Sequence, residues 1–225
     1  MAISASAESP KLETYATGSI TDLQATVTVL KSNQTELRKI NRDFCMAYLL
    51  RVVDMSYKEP DKLRMEGKAG LMIVNGAQRY YHVPVLGLSK KETLGAAISR
   101  RHSLFDLGLV PRGFLESIDA KFIRAEKLSS VDTNLFEFSF HGDDTSRFRI
   151  WLDPVSHVIL KREWLDGEGH LRATFFYQNV KEIKPGIWLP TRMEIHNADG
   201  ELAGVTGYTD LHINQGLADT LFQIT

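Results

Sequence analysis

Residues 147–200 read RFRIWLDPVSHVILKREWLDGEGHLRATFFYQNVKEIKPGIWLPTRMEIHNADG. Apolar and polar side chains alternate through Arg147–Leu152, Val158–Leu165, Leu171–Ile183 and Ile187–His196. Each run ends in turn chemistry: Asp153-Pro154, Asp166-Gly167-Glu168-Gly169, Lys184-Pro185-Gly186 and Asn197-Ala198-Asp199-Gly200. Period two sends successive side chains to opposite faces of a strand, and Gly, Pro, Asn and Asp suit the dihedrals of tight turns. The stretch predicts four antiparallel strands joined by short hairpins.

Working outward, the same pattern covers Phe122–Leu128, Leu135–Phe140 and Ala203–Ile213, with Gly142-Asp143-Asp144 as a further turn. In the first half Leu63–Gly67, Gly70–Val74 and Gln78–Val83 read as strands, the last two joined at Asn75-Gly76, a strong hairpin signal. Phe44, Met46, Tyr48, Leu50 and Val52 alternate with their neighbours and predict a long strand that closes before Pro60. Ahead of it, Leu23, Val27, Leu30, Leu37 and Ile40 recur at helical spacing behind Ser19 or Thr21, which predicts one amphipathic helix of about twenty residues. Between Leu88 and Ile118 the recurrence of Leu94, Ala97, Ile98, Arg101 and Phe105 predicts a helical insertion.

The expected fold is α+β: one large curved antiparallel sheet, an incomplete β-barrel of about 10–11 strands, with the N-terminal helix and the helical insertion covering its concave face. No linker interrupts it, so residues 19–225 read as one domain behind a flexible tail at 1–18. The chain has 225 residues, 43% of them hydrophobic, and 27 Lys+Arg balance 28 Asp+Glu. That excludes disorder and any global field for nucleic acid, and Lys90-Lys91 and Arg100-Arg101 carry no interleaved aromatics. No run approaches the roughly 20 apolar residues that span a bilayer. Ala5-Ser6-Ala7 reads either as the stump of a trimmed export signal or as part of a Ser/Ala-rich tail.

Enzyme and cofactor signals are missing. The single cysteine, Cys45, reads as a small core hydrophobe, and the seven histidines form no H-x-H or H-x-x-x-H set for a metal. Asp210 and His212 share a strand face, which is a common polar pair. Neither a nucleophile elbow nor a glycine-rich phosphate loop occurs. What stands out is the supply of aromatic side chains on strands, with Phe136, Phe138 and Phe140 on one face. Most must be core packing, and some could line an apolar cavity. Tyr48, Leu50, Phe138, Phe140, Trp151 and Phe176 are the expected lining residues, and Gly87, Gly95 and Gly108 the candidate hinges of a gating insertion.

Several segments resemble the LolA-like outer-membrane lipoprotein-sorting proteins. They are Tyr57-Lys58-Glu59-Pro60-Asp61-Lys62-Leu63-Arg64-Met65-Glu66, Arg79-Tyr80-Tyr81-His82-Val83-Pro84 and Phe148-Arg149-Ile150-Trp151-Leu152-Asp153-Pro154. In the same order follow Leu165-Asp166-Gly167-Glu168-Gly169, Ile187-Trp188-Leu189-Pro190-Thr191-Arg192 and Asn214-Gln215-Gly216-Leu217-Ala218-Asp219-Thr220-Leu221-Phe222. The resemblance covers roughly residues 20–224. It implies an incomplete barrel with helices over its mouth, a hydrophobic cavity for lipid or lipoprotein acyl chains, no cofactor, residence in the periplasm or cell envelope, and an envelope protein or transient membrane-associated partner. Where the dedicated lipoprotein carriers place an arginine before the proline, this chain has Glu59. An apolar ligand is thus implied without specifying lipoprotein handover. The competing reading is a protein-interaction module on the same fold, its concave face filled by its own helices.

Overall fold

In the computed structural model, which describes residues 9–84, 87–94 and 103–224, the last long strand lies beside the first. That pair, β2 (Asp22–Ser32) and β15 (Leu202–Ile213), sits at the middle of a 13-stranded antiparallel sheet that does not close into a barrel. On one side follow β3 (Val52–Lys58), β4 (Lys62–Gly67), β5 (Gly70–Asn75), β6 (Gln78–Val83) and β7 (Leu88–Thr93). On the other follow β14 (Ile187–Asn197), β13 (Leu171–Lys184), β12 (Ile159–Asp166), β11 (Ser146–Leu152), β10 (Val131–Phe140) and β9 (Ile118–Leu128). The buried Asp22 seals the seam: its carboxylate accepts the backbone N–H groups of Gln215 (2.7 Å), Gly216 (3.0 Å) and Leu217 (3.4 Å).

This order has a topological consequence. β7 and β9 are consecutive in the chain yet form opposite edges of the sheet, so the connection between them must cross a whole face. Thirteen strands at about 4.8 Å would span roughly 58 Å if flat. A connection of about two dozen residues reaches at most about 80 Å fully extended, and far less where it coils. The described part of the crossing contains two 3₁₀ turns, Leu104–Leu107 and Arg112–Ser117, and between them β8 (Val110–Pro111), which pairs in parallel with β1 (Ala16–Thr17).

Several expectations need correction. The segment expected as the first helix begins as β2: Leu23, Ala25 and Val27 are buried with partly exposed residues between them, a period of two. Leu23 and Val27 satisfy both periods, and the β-branched run Thr26-Val27-Thr28-Val29 favours the extended chain. Helix comes later and in two pieces, α1 (Gln34–Ile40) and α2 (Arg42–Ala47). The Asn33 side chain caps α1 by accepting the N–H groups of Thr35 and Glu36, and the Asn41 side chain caps α2 by accepting that of Asp43. The strand expected from Phe44 starts only at Val52. Of the expected insertion, Leu88–Thr93 is an edge strand, and the described remainder is 3₁₀ turn and extended chain. Residues 1–8 with Ala5-Ser6-Ala7, and Gly95, Ala97, Ile98, Arg100 and Arg101, lie outside the described residues. From Leu12 onward the expected tail is packed, with Leu12 and Tyr15 buried.

One face of the sheet, here the inner face, is covered by residues 12–17, α1, α2 and the crossing segment, whose apolar side chains merge with those of the strands. On the outer face of β3–β5 the C-terminal turn Asp219–Phe222 docks with Phe222 fully buried. No described helix is long and apolar enough to cross a membrane.

Two outcomes follow. At Gly204 an added Cβ would lie 2.3 Å from Cε1 of the buried Tyr48 ring, so Gly204→Ala should cost about 1–3 kcal/mol in a denaturant titration. The Lys58 and Lys62 ammonium groups hold the exposed Asp219 carboxyl at about 2, below its ordinary 3.8. A depressed carboxyl stabilises above its unfolded value and loses that contribution as pH falls through the folded one. Hydrogen exchange at residues 217–222 should therefore accelerate between about pH 4 and 2, and Asp219→Asn should remove that pH dependence.

Candidate ligand site on the inner face

Period two on β10 and β11 points Phe138, Phe140 and Phe148 to the inner face, where Phe138 stacks on Phe148 with ring centroids 5.3 Å apart. The crossing segment adds Phe105 and Phe114 to the same layer. Phe105 meets Phe138 edge-on at 5.4 Å and Phe148 at 5.7 Å, and Phe114 meets Phe140 at 4.9 Å. Such pairs contribute about 0.5–1.5 kcal/mol each beyond the burial of their area. Five phenylalanines thus form one apolar layer, three from strands and two from the segment above them.

Beside this layer β12 places a cation. A register shift next to Leu152 turns Arg162 inward, while Lys161 and Glu163 face out and pair with one another. The Arg162 side chain is 7% exposed. Its guanidinium lies 4.0 Å from the Phe175 ring centroid, 4.6 Å from that of Phe105 and 5.8 Å from that of Tyr177. Nη1 makes long hydrogen bonds, 3.4 Å each, to the Phe105 carbonyl and the Asp106 carboxylate. Nε is buried and has no hydrogen-bond partner among the described residues.

Two tyrosines, one from each half of the sheet, also hold the crossing segment. The Tyr177 hydroxyl donates to the Phe105 carbonyl (3.4 Å). The Tyr57 hydroxyl contacts Glu59 Oε1 (2.9 Å) and the Pro60 carbonyl (2.8 Å) and faces the Leu104 backbone, whose N–H opposes the upward push of burial on its pKa. Burial raises the pKa of both phenols, so both stay protonated donors. Glu59 therefore acts on the segment through Tyr57, and burial raises its own pKa against the lowering effect of that phenol. A capping box between Ser103 and Asp106 shapes the turn itself. Its last position, Gly108, has φ +80° and meets the Tyr177 ring at a distance that leaves no room for a Cβ. The Gly108 carbonyl accepts the Ile159 N–H at 2.8 Å. Gly108 is the left-handed cap of this turn and a docking point of the segment.

The expected lining residues divide. Phe138 and Phe140 are in the layer, and Tyr48 belongs to the same cluster. Tyr48 gets there from the C-terminal end of α2, with its ring over Gly204 and its hydroxyl accepting from Thr206 at 3.0 Å. Burial pushes its pKa up to about 12. Leu50 joins a second cluster with Val53 and Met55. Trp151 and Phe176 are on the outer face, which corrects their expected place. Trp151 donates Nε1–H to Glu126 (2.6 Å) beneath the Lys161 ammonium, and Phe176 meets His196 edge-on. Arg147 and Arg149 share the period of Trp151, and Arg172 and Gln178 that of Phe176; these polar neighbours marked the solvent side. Arg162 escaped the sequence reading, although it has the same period as Trp164 and stands between Lys161 and Glu163.

Among the described residues, apolar side chains of the cover and the strands pack together over the inner face. A residual void of about 10 Å³ among Leu23, Met55, Leu107, Leu189 and Tyr208 is at the limit for one water. A larger space of about 470 Å³ is an open polar cleft at the sheet end, bordered by Asp119, Ser139, His141, Asp143, Asp144 and Arg147. Among the described residues no three His, Cys, Asp or Glu side chains converge as a metal site.

A family model described as "-like: Uncharacterized protein" matches residues 64–225, more than half of the chain. The chain belongs to that family. Three solved structures are similar over nearly the whole length. A DUF1329 family protein from Desulfovibrio piger has a TM-score of 0.63 at 15% identity, covering 94% of this chain and 92% of its own. A domain classed as an outer membrane lipoprotein-sorting protein, from Vibrio parahaemolyticus, has 0.62 at 16%, with 94% and 92% covered. A LolA superfamily protein from Nitrosomonas europaea has 0.60 at 15%, with 95% and 94% covered. At these identities the likeness establishes the fold, which is LolA-like. No curated protein sequence matches the chain.

In this LolA-like fold the closeness of Gly108 to Tyr177 is testable. Gly108→Ala combines a left-handed backbone with a contact of 2.8 Å to the ring. It should destabilise the protein by about 1–3 kcal/mol and raise hydrogen exchange at residues 104–109 above that of the strands.

Proposed function

We propose that the protein is a non-enzymatic carrier or sensor of the periplasm or cell envelope that takes lipid or lipoprotein acyl chains against the inner face of its sheet. One observation carries this reading: the aromatic layer is closed by a crossing segment whose described part shares no ladder with the 13-stranded sheet and pairs only, over two residues, with β1, so the cover can leave with that sheet intact. Phe105 and Phe114 then occupy the place of a ligand in the closed form. A chain of roughly fifteen carbons brings on the order of 12 kcal/mol at about 0.8 kcal/mol per methylene. Leu104, Phe105, Leu109, Val110 and Phe114, all buried, withhold a comparable amount at about 1.5–3 kcal/mol each. The near balance suits reversible uptake. The LolA-like fold supports this reading, and the lipoprotein-sorting domain from Vibrio parahaemolyticus shares that fold.

A second reading is favoured by the packed inner face itself: a protein-interaction module whose core is permanently closed and whose edges or loops bind a partner. The two readings differ at Phe114. If Phe114 stands in for a ligand, Phe114→Ala vacates its place and tightens uptake of oleic acid, seen by native mass spectrometry as a 1:1 adduct at lower lipid concentration. In a permanently closed module the same change lowers stability by about 3–5 kcal/mol and gives no adduct. Absence of any adduct with both the wild type and the variant would reject the carrier.

A further inference from the structure

Arg162 is the least compensated charge in the interior. A guanidinium remains ionised at any ordinary pH and presents five N–H donors in a rigid fork. Here it is 7% exposed, its hydrogen bonds from Nη1 are both 3.4 Å long, and Nε has no partner among the described residues. Among the described residues its ion-pair partner within 4 Å is Asp106, which is 45% exposed and belongs to the crossing segment. The aromatic faces of Phe175, Phe105 and Tyr177 lie around it. Buried cations are ordinarily held by short, complete hydrogen bonds. This one is held loosely, by the element whose departure would open the site.

We propose that Arg162 is the recognition group for a carboxylate head, and that the ligand is a long-chain carboxylic acid with its chain along the Phe138–Phe148 layer. This rests on the carrier reading and names its ligand class. When the crossing segment lifts, the Phe105 carbonyl and the Asp106 carboxylate leave Nη1 together, and an uncharged lipid would have to enter beside a naked guanidinium. A carboxylate supplies the lost negative charge in one planar group whose two oxygens accept from Nε and Nη2, the side-on two-point pair that the closed form lacks. The head thus compensates the charge that opening exposes, and the chain compensates the apolar surface.

The test compares cis-parinaric acid with its methyl ester, by probe fluorescence, on the wild type and on Arg162→Met and Arg162→Lys. The wild type should bind the acid at least tenfold more tightly than the ester. Arg162→Met should bring the acid down to the affinity of the ester and leave ester affinity within about threefold. Arg162→Lys, which keeps the charge but not the fork, should fall between them. Equal wild-type affinity for acid and ester would overturn the assignment of Arg162 and leave the carrier reading standing. Binding of neither would overturn both. The wild-type comparison decides even if a variant fails to fold, and circular dichroism shows whether it has.

Discussion

The pairing of the first long strand with the last, β2 against β15 under the Asp22 carboxylate, governs the rest of the molecule. It puts both ends of the chain's sheet-forming region at the centre and leaves the mid-chain strands β7 and β9 at the two edges. The chain can join those edges only by crossing a face. A twisted sheet of this many strands curls, and the face the connection crosses becomes the interior. The candidate site is thus a product of strand order: the same residues in a meander from one edge to the other would have no cover.

Cover and sheet are joined by two kinds of interaction with different consequences. Apolar contact between Phe105, Phe114 and the strand phenylalanines is strong, non-directional and replaceable by any apolar group of similar volume. The polar contacts are few and specific: the Tyr177 hydroxyl and the Arg162 guanidinium on Phe105–Asp106, and the shorter bond from the Ile159 N–H to the Gly108 carbonyl. At 3.4 Å those to Phe105 and Asp106 are long, so they set position more than they add stability. A cover bound by exchangeable apolar area and positioned by long polar contacts is suited to being displaced by a ligand that offers both.

Much of the sheet was legible in the residues because hairpins are local. Gln78–Val83 was bounded correctly to the residue, and the strands from Leu135 to Ile213 to within a few, since turn residues punctuate them. The failures came where local signals were degenerate. Leu23 and Val27 fit a helix or a strand, and only pairing with β3 and β15 selects the strand. Phe44, Cys45 and Tyr48 fit either period, and the Asn41 cap selects helix. In the candidate site Phe138 and Phe140 were found by alternation, and Trp151 and Phe176 were misplaced by one residue of register, which reverses the face. Their arginine and glutamine neighbours carried the information that bulk alone did not.

The sequence by itself determined that this chain builds a large antiparallel sheet from consecutive hairpins, because alternation and turn chemistry are properties of a few adjacent residues. It also determined that no nucleotide-binding loop or metal-ligating spacing is present, because those too are short-range patterns. Only the tertiary structure decided which strands are neighbours at the seam, that the segment expected over the concave face joins the two edges of the sheet, and that Arg162 is buried beneath it. Each of these depends on residues more than 50 positions apart, Arg162 against Phe105 among them, and contacts at that range leave no period in the sequence.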